Sequence, residues 1–194
     1  MNAAQRPRRS GYAMIYIIIV LAAVAVAALA IVPKAAMVAD RQVASRTYVQ
    51  LAELDSGIVN MQAALKALYP GAIHQLTNQI TINDTNACGN KFAGAAVTAW
   101  TNNSVFSHQY ATTAGLYTPI GTINDAIEHA SKTSPMYLRI PAVDTAMLAR
   151  MDAVVDGSDG GAAGTILFTI TTSPTADLLY RVGFAPTYSL TNNC

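Results

Sequence analysis

The hydrophobic pattern of the first third of the chain changes character once, at Lys34. Residues 12–32 contain 21 positions and no charge. At 1.5 Å per residue a helix of that length reaches about 31 Å, the thickness of a bilayer's hydrocarbon core. From residue 34 to 68 apolar groups recur at mixed three- and four-residue spacing: Met37, Val38, Val43, Ala44, Tyr48, Leu51, Leu54, Ile58, Met61, Leu65 and Leu68. Asp40, Gln42, Arg46, Gln50, Glu53, Asp55 and Lys66 fall between them. The spacing predicts an amphipathic helix that continues the apolar one. Tyr69-Pro70-Gly71 then stops it. One helix over residues 12–69 would be about 85 Å long. Pro33 removes a backbone donor at its middle, so a kink or a melted turn is expected there.

After residue 71 the segments are shorter. Residues 79–84 (QITIND) alternate as a strand does, and 86–100 read as a helix after Gly89 or an irregular loop. Residues 104–121 favour strand and turn, and 122–131 read as a short helix capped by Asn124. Residues 135–141 suit a strand bounded by prolines. A helix is expected from Asp144, its cap, to Val155, with Gly157 ending it. The strongest β signals, 164–173 and 176–186, should pair as an antiparallel hairpin at the centre of a small sheet. That sheet, laid over the second half of the long helix, gives an α+β fold: a long N-terminal transmembrane-plus-stalk helix carrying a small antiparallel-sheet head.

Charge adds direction. Only 12% of the residues are charged, about half the usual share. The net charge is +1, but Arg6, Arg8 and Arg9 precede Gly11, and without them 12 − 3 = 9 basic groups face 11 acidic ones, or −2. Nothing in this balance points to nucleic acid. Three arginines before the apolar run and Lys34 alone after it place the N-terminus in the cytoplasm and the rest outside. A cleaved export signal, with a site at Ala28-Leu29-Ala30, is the competing reading, yet 21 apolar residues exceed the 7–15 of a signal's apolar region.

These residues resemble the type IV pilin and pseudopilin family: a short basic leader ending in Gly11, an aromatic first mature residue Tyr12, an unbroken apolar helix, and Pro33 at the twenty-second mature position. The resemblance covers about the first 60 residues. It implies cleavage after Gly11 and N-terminal methylation of Tyr12 by a prepilin peptidase. It further implies packing of residues 12–33 in a filament core through other pilin subunits and an inner-membrane assembly platform. The boundaries that follow are 1–11 leader, 12–33 transmembrane or filament-core helix, 34–70 amphipathic helix packing on the head, and 71–194 α+β head. The implied location is a bacterial inner membrane before assembly and a periplasmic or extracellular filament afterwards. Filament-forming subunits of this family carry a glutamate at the fifth mature position, where this chain has Tyr16. The resemblance is therefore to minor, tip-type subunits of a pilus or of a type II secretion pseudopilus. The alternative is a single-pass, membrane-tethered extracytoplasmic binding domain with no filament role.

Cys88 and Cys194 are the only cysteines. Outside the cytoplasm two lone thiols tend to oxidise. Joining them would close a loop of about 106 residues, for which chain entropy gives at most about 4.7 kcal/mol. Two unpaired thiols are the alternative. Many pilins pin the C-terminal region of the head with a disulfide, in agreement with the pairing.

Enzyme chemistry is not expected. His74, His108 and His129 are scattered without the spacing of a zinc motif. The glycines of residues 156–164 (DGSDGGAAG) lack the lysine of a phosphate loop. Asp152, Asp156, Ser158 and Asp159 do supply hard oxygens of the kind calcium takes, and some pseudopilins hold calcium in this general region. A solvated turn, using Asp and Gly for their tolerance of left-handed backbone, is the simpler reading. No cofactor is otherwise expected.

Overall fold

The structure, a computed structural model, describes residues 10–65, 69–76, 80–101, 115–129, 135–169 and 172–182. The chain divides into two compact units, Met1–Asp40 and Arg41–Cys194. Helix α1, Ser10–Ala64, is 55 residues long and runs through Pro33 without a melted turn. Proline removes one helical hydrogen bond, and the helix continues on both sides of it.

In the second unit the helix does what its spacing predicts. Ala44, Leu51, Leu54, Ile58 and Met61 are buried, on one stripe with the buried Thr47. Thr47 returns its hydroxyl to the Val43 carbonyl at 3.0 Å, so a polar group on that stripe is satisfied inside the helix.

The remaining described elements are the helices α2 (Gly94–Thr101) and α3 (Thr145–Val155), a 3₁₀ turn at Ile73–Leu76, and six strands: β1 (Leu116–Thr118), β2 (Gly121–Ile123), β3 (Glu128–His129), β4 (Met136–Asp144), β5 (Ile166–Leu167) and β6 (Thr175–Val182). They make a two-stranded sheet, β1-β2, and a four-stranded sheet of order β3-β4-β6-β5, antiparallel throughout. Met136, Leu138, Ile140, Leu178, Tyr180 and Val182 alternate inward and join the α1 stripe, Trp100 and Leu148 in one core. Tyr48 of α1 meets Tyr180 of β6 with ring centroids 6.4 Å apart and planes tilted by 56°. The fold is α+β.

Several expectations change. β4 does not end at Pro141 but continues to Asp144 through a bulge, because Pro141 and Ala142 together oppose the single residue Asp177 between the pairs Ile140–Leu178 and Val143–Ala176. A bulge leaves unpaired the position where proline has no donor to give. Residues 122–129 form no helix. Ile123 pairs with Leu116, the Asn124 amide goes to the Arg139 carbonyl, and the Ile127 amide goes to the Gly71 carbonyl. A helix of two turns nucleates too weakly to compete with those bonds. Residues 80–84 are a turn, not a strand, in which Asp84 accepts the Thr81 amide at 2.7 Å. The hairpin pairs as expected, but β5 is two residues long at the sheet edge, and of the two hairpin strands only β6 is interior, beside β4. The rest of the second hairpin segment, from residue 183, lies outside the described residues.

Among the described residues no helix is long and apolar enough to cross a membrane. Within the apolar run, side chains are described for residues 14–28.

The stripe yields a direct test. Ile58→Ala should cost about 2–5 kcal/mol, whereas Val59→Ala, on the exposed side of the same turn, should stay within about 0.5 kcal/mol. Denaturant midpoints at constant slope would check both; equal costs would mean that α1 does not carry the core.

Candidate functional site

Two regions concentrate what the core does not use. The first is the N-terminal half of α1. Ten large apolar side chains between Met14 and Val26 are exposed, from 52% at Val20 to 73% at Tyr16. They point in every direction around the helix, so no single face is the solvent face. Full burial of one such side chain is worth about 1.5–3 kcal/mol, and ten already part-covered ones would gain about 10–20 kcal/mol. That matches or exceeds the net stability of a whole domain. Contiguous exposed apolar surface of this extent marks an interaction surface. Gly11, Tyr12 and Pro33 lie in the backbone of the same helix.

The second region is the loop closing α3 onto β5. Asp144 caps the helix as expected, accepting the Ala146 and Met147 amides at 2.8 and 3.2 Å. Gly157, with φ of 81°, ends it. Asp156 then holds the returning chain, its Oδ2 accepting the amides of Thr165 at 2.9 Å and Ile166 at 2.6 Å. Gly164 is needed there twice over: its φ is 85°, and a Cβ would stand 2.7 Å from the Asp156 carboxyl carbon. Asp159 Oδ1 accepts the Gly161 amide at 3.0 Å, and Asp152 Oδ2 accepts the Gly160 amide at 2.9 Å. Asp152, Asp156 and Asp159 are thus brought together, but each turns an oxygen inward to a backbone amide. Among the described residues no group of three or more His, Cys, Asp or Glu side chains is arranged to hold a metal ion. Through these bonds the three carboxylates close the loop.

His74 is not isolated. Its Nδ1 lies 2.7 Å from Asp125 Oδ2, its backbone amide donates to Asp125 Oδ1 at 2.9 Å, and its Nε2 is 3.7 Å from Asp84 Oδ1. Together with Gln75, which accepts the Gly71 amide and donates to the Thr85 carbonyl, it stitches the chain after α1 to its neighbours. This is a structural clamp, invisible to spacing because Asp125 is 51 residues away. His129 sits in β3 opposite Met136, and His108 lies outside the described residues. Cys88 is disulfide-bonded. Cys194, the only other cysteine of the chain, lies outside the described residues, as does the leader before Ser10.

A further ion cluster escaped the sequence. Arg139 bridges Glu128 and Asp177 across β3, β4 and β6, and Asp177 Oδ1 accepts the Ala142 amide at 3.1 Å. Ala142 has a φ of 55°, so the carboxylate ties down the strained residue of the bulge. The Ala142 amide and, after it, the Arg139 guanidinium hold the Asp177 carboxyl below its ordinary value, against some desolvation. A carboxyl lowered in the folded state contributes stability above its unfolded value that is lost as pH falls through the folded one.

Comparison with family models, curated proteins and solved structures finds no match for this chain.

Asp177→Asn should therefore melt below the parent near neutral pH, and the gap should close as pH falls below the carboxyl's folded value. Melting temperature against pH reads this directly. Because both partners are part-exposed, salt should narrow the gap as well.

Proposed function

We propose that this protein is a subunit of the type IV pilin or pseudopilin kind, of the minor sort, whose mechanism is assembly through its N-terminal helix. The observation that carries the reading is the exposure of residues 14–28 on a helix whose other half builds the core of a globular domain. From Ala44 on, one stripe of α1 is buried, whereas the large apolar side chains described between Met14 and Val26 are exposed. A lipid bilayer before assembly and the equivalent helices of neighbouring subunits afterwards would each cover them. Ala22, Ala23, Ala25, Ala27 and Ala28 offer small residues for close helix approach. The uncharged run of residues 12–32, flanked by three arginines and Lys34, suits insertion across an inner membrane with the head outside. The α+β head built on the amphipathic half of the helix supports the same assignment.

Tyr16 supports the minor position. A carboxylate at this depth in lipid would need a cationic partner, and the phenol makes no such demand. A subunit without that charge suits a place in the filament where no neighbouring amine has to be met. The partners that follow are other pilin subunits, a prepilin peptidase acting between Gly11 and Tyr12, and an inner-membrane assembly platform. The head's role is contact, not turnover.

Mass spectrometry of intact protein and N-terminal peptides from its own host tests this reading. A mature chain beginning at Tyr12, with or without an added methyl group, is the expected result. A chain retaining Arg6 to Gly11 would favour the tethered binding domain, and a start near Ile31 would make the helix a discarded signal.

A further inference from the structure

The exposed side of α1 carries two charges that the head leaves unused. Arg46, Val49 and Glu53 are exposed and follow one another at spacings of three and four residues, which sets them in one row on the helix surface. Among the described residues neither Arg46 nor Glu53 enters an ion pair. They stand about 10.5 Å apart along the axis, beyond the three- or four-residue spacing at which charges on one helix meet.

Beside Arg46 a cleft of about 340 Å³ opens between α1 and the turn that joins β1 to β2. Its lining is Ser45, Arg46, Val49, Gln50 and Pro119. Val49 and Pro119 supply an apolar wall, whereas Arg46, Ser45 and Gln50 supply N–H and O–H donors. The Gln50 Oε1 is buried and accepts no hydrogen bond, so this amide is incompletely satisfied. The one charged group in the lining is a cation. Such a lining fits a side chain with an apolar stem and a carboxylate end, the chemistry of glutamate.

We infer that this cleft is the socket for Glu53 of a second copy of the chain, standing parallel to the first and shifted along it by two helical turns. The inference rests on the proposed assembly through α1, which gives the copies one polarity. Register decides the rest. Unshifted, parallel copies set Arg46 against Arg46 and Glu53 against Glu53, like charges that repel. A shift of seven residues, about 10.5 Å, sets Glu53 of one copy against Arg46 of the other and Val49 against Ser56. Seven residues nearly complete two turns, so the same side of the helix is still presented. Arg46 and Ser45 then donate to the incoming carboxylate, whose stem lies on Val49 and Pro119. Two copies anchored at one depth in a membrane are held in the repulsive register; drawing one out relative to the other engages the socket. Each copy offers its socket to one neighbour and its glutamate to the next, a head-to-tail contact that propagates instead of closing.

The test places a photo-reactive amino acid at Val49 of the full chain in the native host and maps the adducts by peptide mass spectrometry, with assembly running and with assembly blocked. The expected product joins two copies, from position 49 of one to the neighbourhood of Ser56 of the other, and forms only with assembly. Arg46→Glu should lower its yield about tenfold, and so should Glu53→Arg, whereas the two together in one chain should restore it. Both positions are exposed, so the core is left intact. A yield that Arg46→Glu leaves unchanged, a double variant that stays low, or adducts only with a different subunit would overturn the socket. An adduct from position 49 to position 49 would overturn the shift. The same reagent at Val24 separates the two readings: adducts there without any at Val49 remove the socket alone, and none at either position removes the assembly reading with it.

Discussion

The structure depends on a single helix that meets two different demands. From Ala44 onward one stripe of α1 is apolar and buried, and the head condenses on it. Before that, over residues 14–28, the helix is apolar on all sides and exposed. Water tolerates the first pattern and penalises the second by an amount comparable to the stability of a domain. The second half could therefore fold and persist in a chain whose first half is covered by something else. Burial and exposure are in this sense divided along one backbone.

The head shows how a small domain with few charges is kept unique. Its polar groups are spent on fixing connections: Gln75 and His74 hold the chain where it leaves the helix, Asp177 holds the bulge of β4, and Asp144 and Asp156 hold the two ends of α3. Trp100 adds its indole N–H to the Gln75 carbonyl at 2.8 Å, so the largest core side chain is anchored as well as buried. Each of these bonds spans an irregular stretch of backbone. That is where a fold with short strands is most exposed to alternatives.

Legibility in the sequence followed the range of the interactions. The helix stripe from Ala44 to Met61 could be read because its period is local, and α3 because Asp144 and Gly157 signal their roles within a turn. Residues 122–129 were misleading for the converse reason: Asn124 looks like a cap, but its amide is claimed by Arg139, 15 residues later. Pro141 read as a strand end because the residue that accommodates it, Asp177, lies on another strand. The acids at 152, 156 and 159 were visible as a cluster. Their meaning was not, since it rests on which oxygens face backbone amides.

On the proposed function, residues 14–28 are a surface for other helices and not merely an anchor in lipid. Its most direct test places a photo-reactive amino acid at Val24, exposed in the middle of that surface, and irradiates cells of the native host. The expected result is a set of discrete adducts with other subunits that carry an equivalent apolar N-terminal helix, lost when assembly is blocked. Adducts with lipid alone, under conditions in which the assembled structure is present, would contradict it.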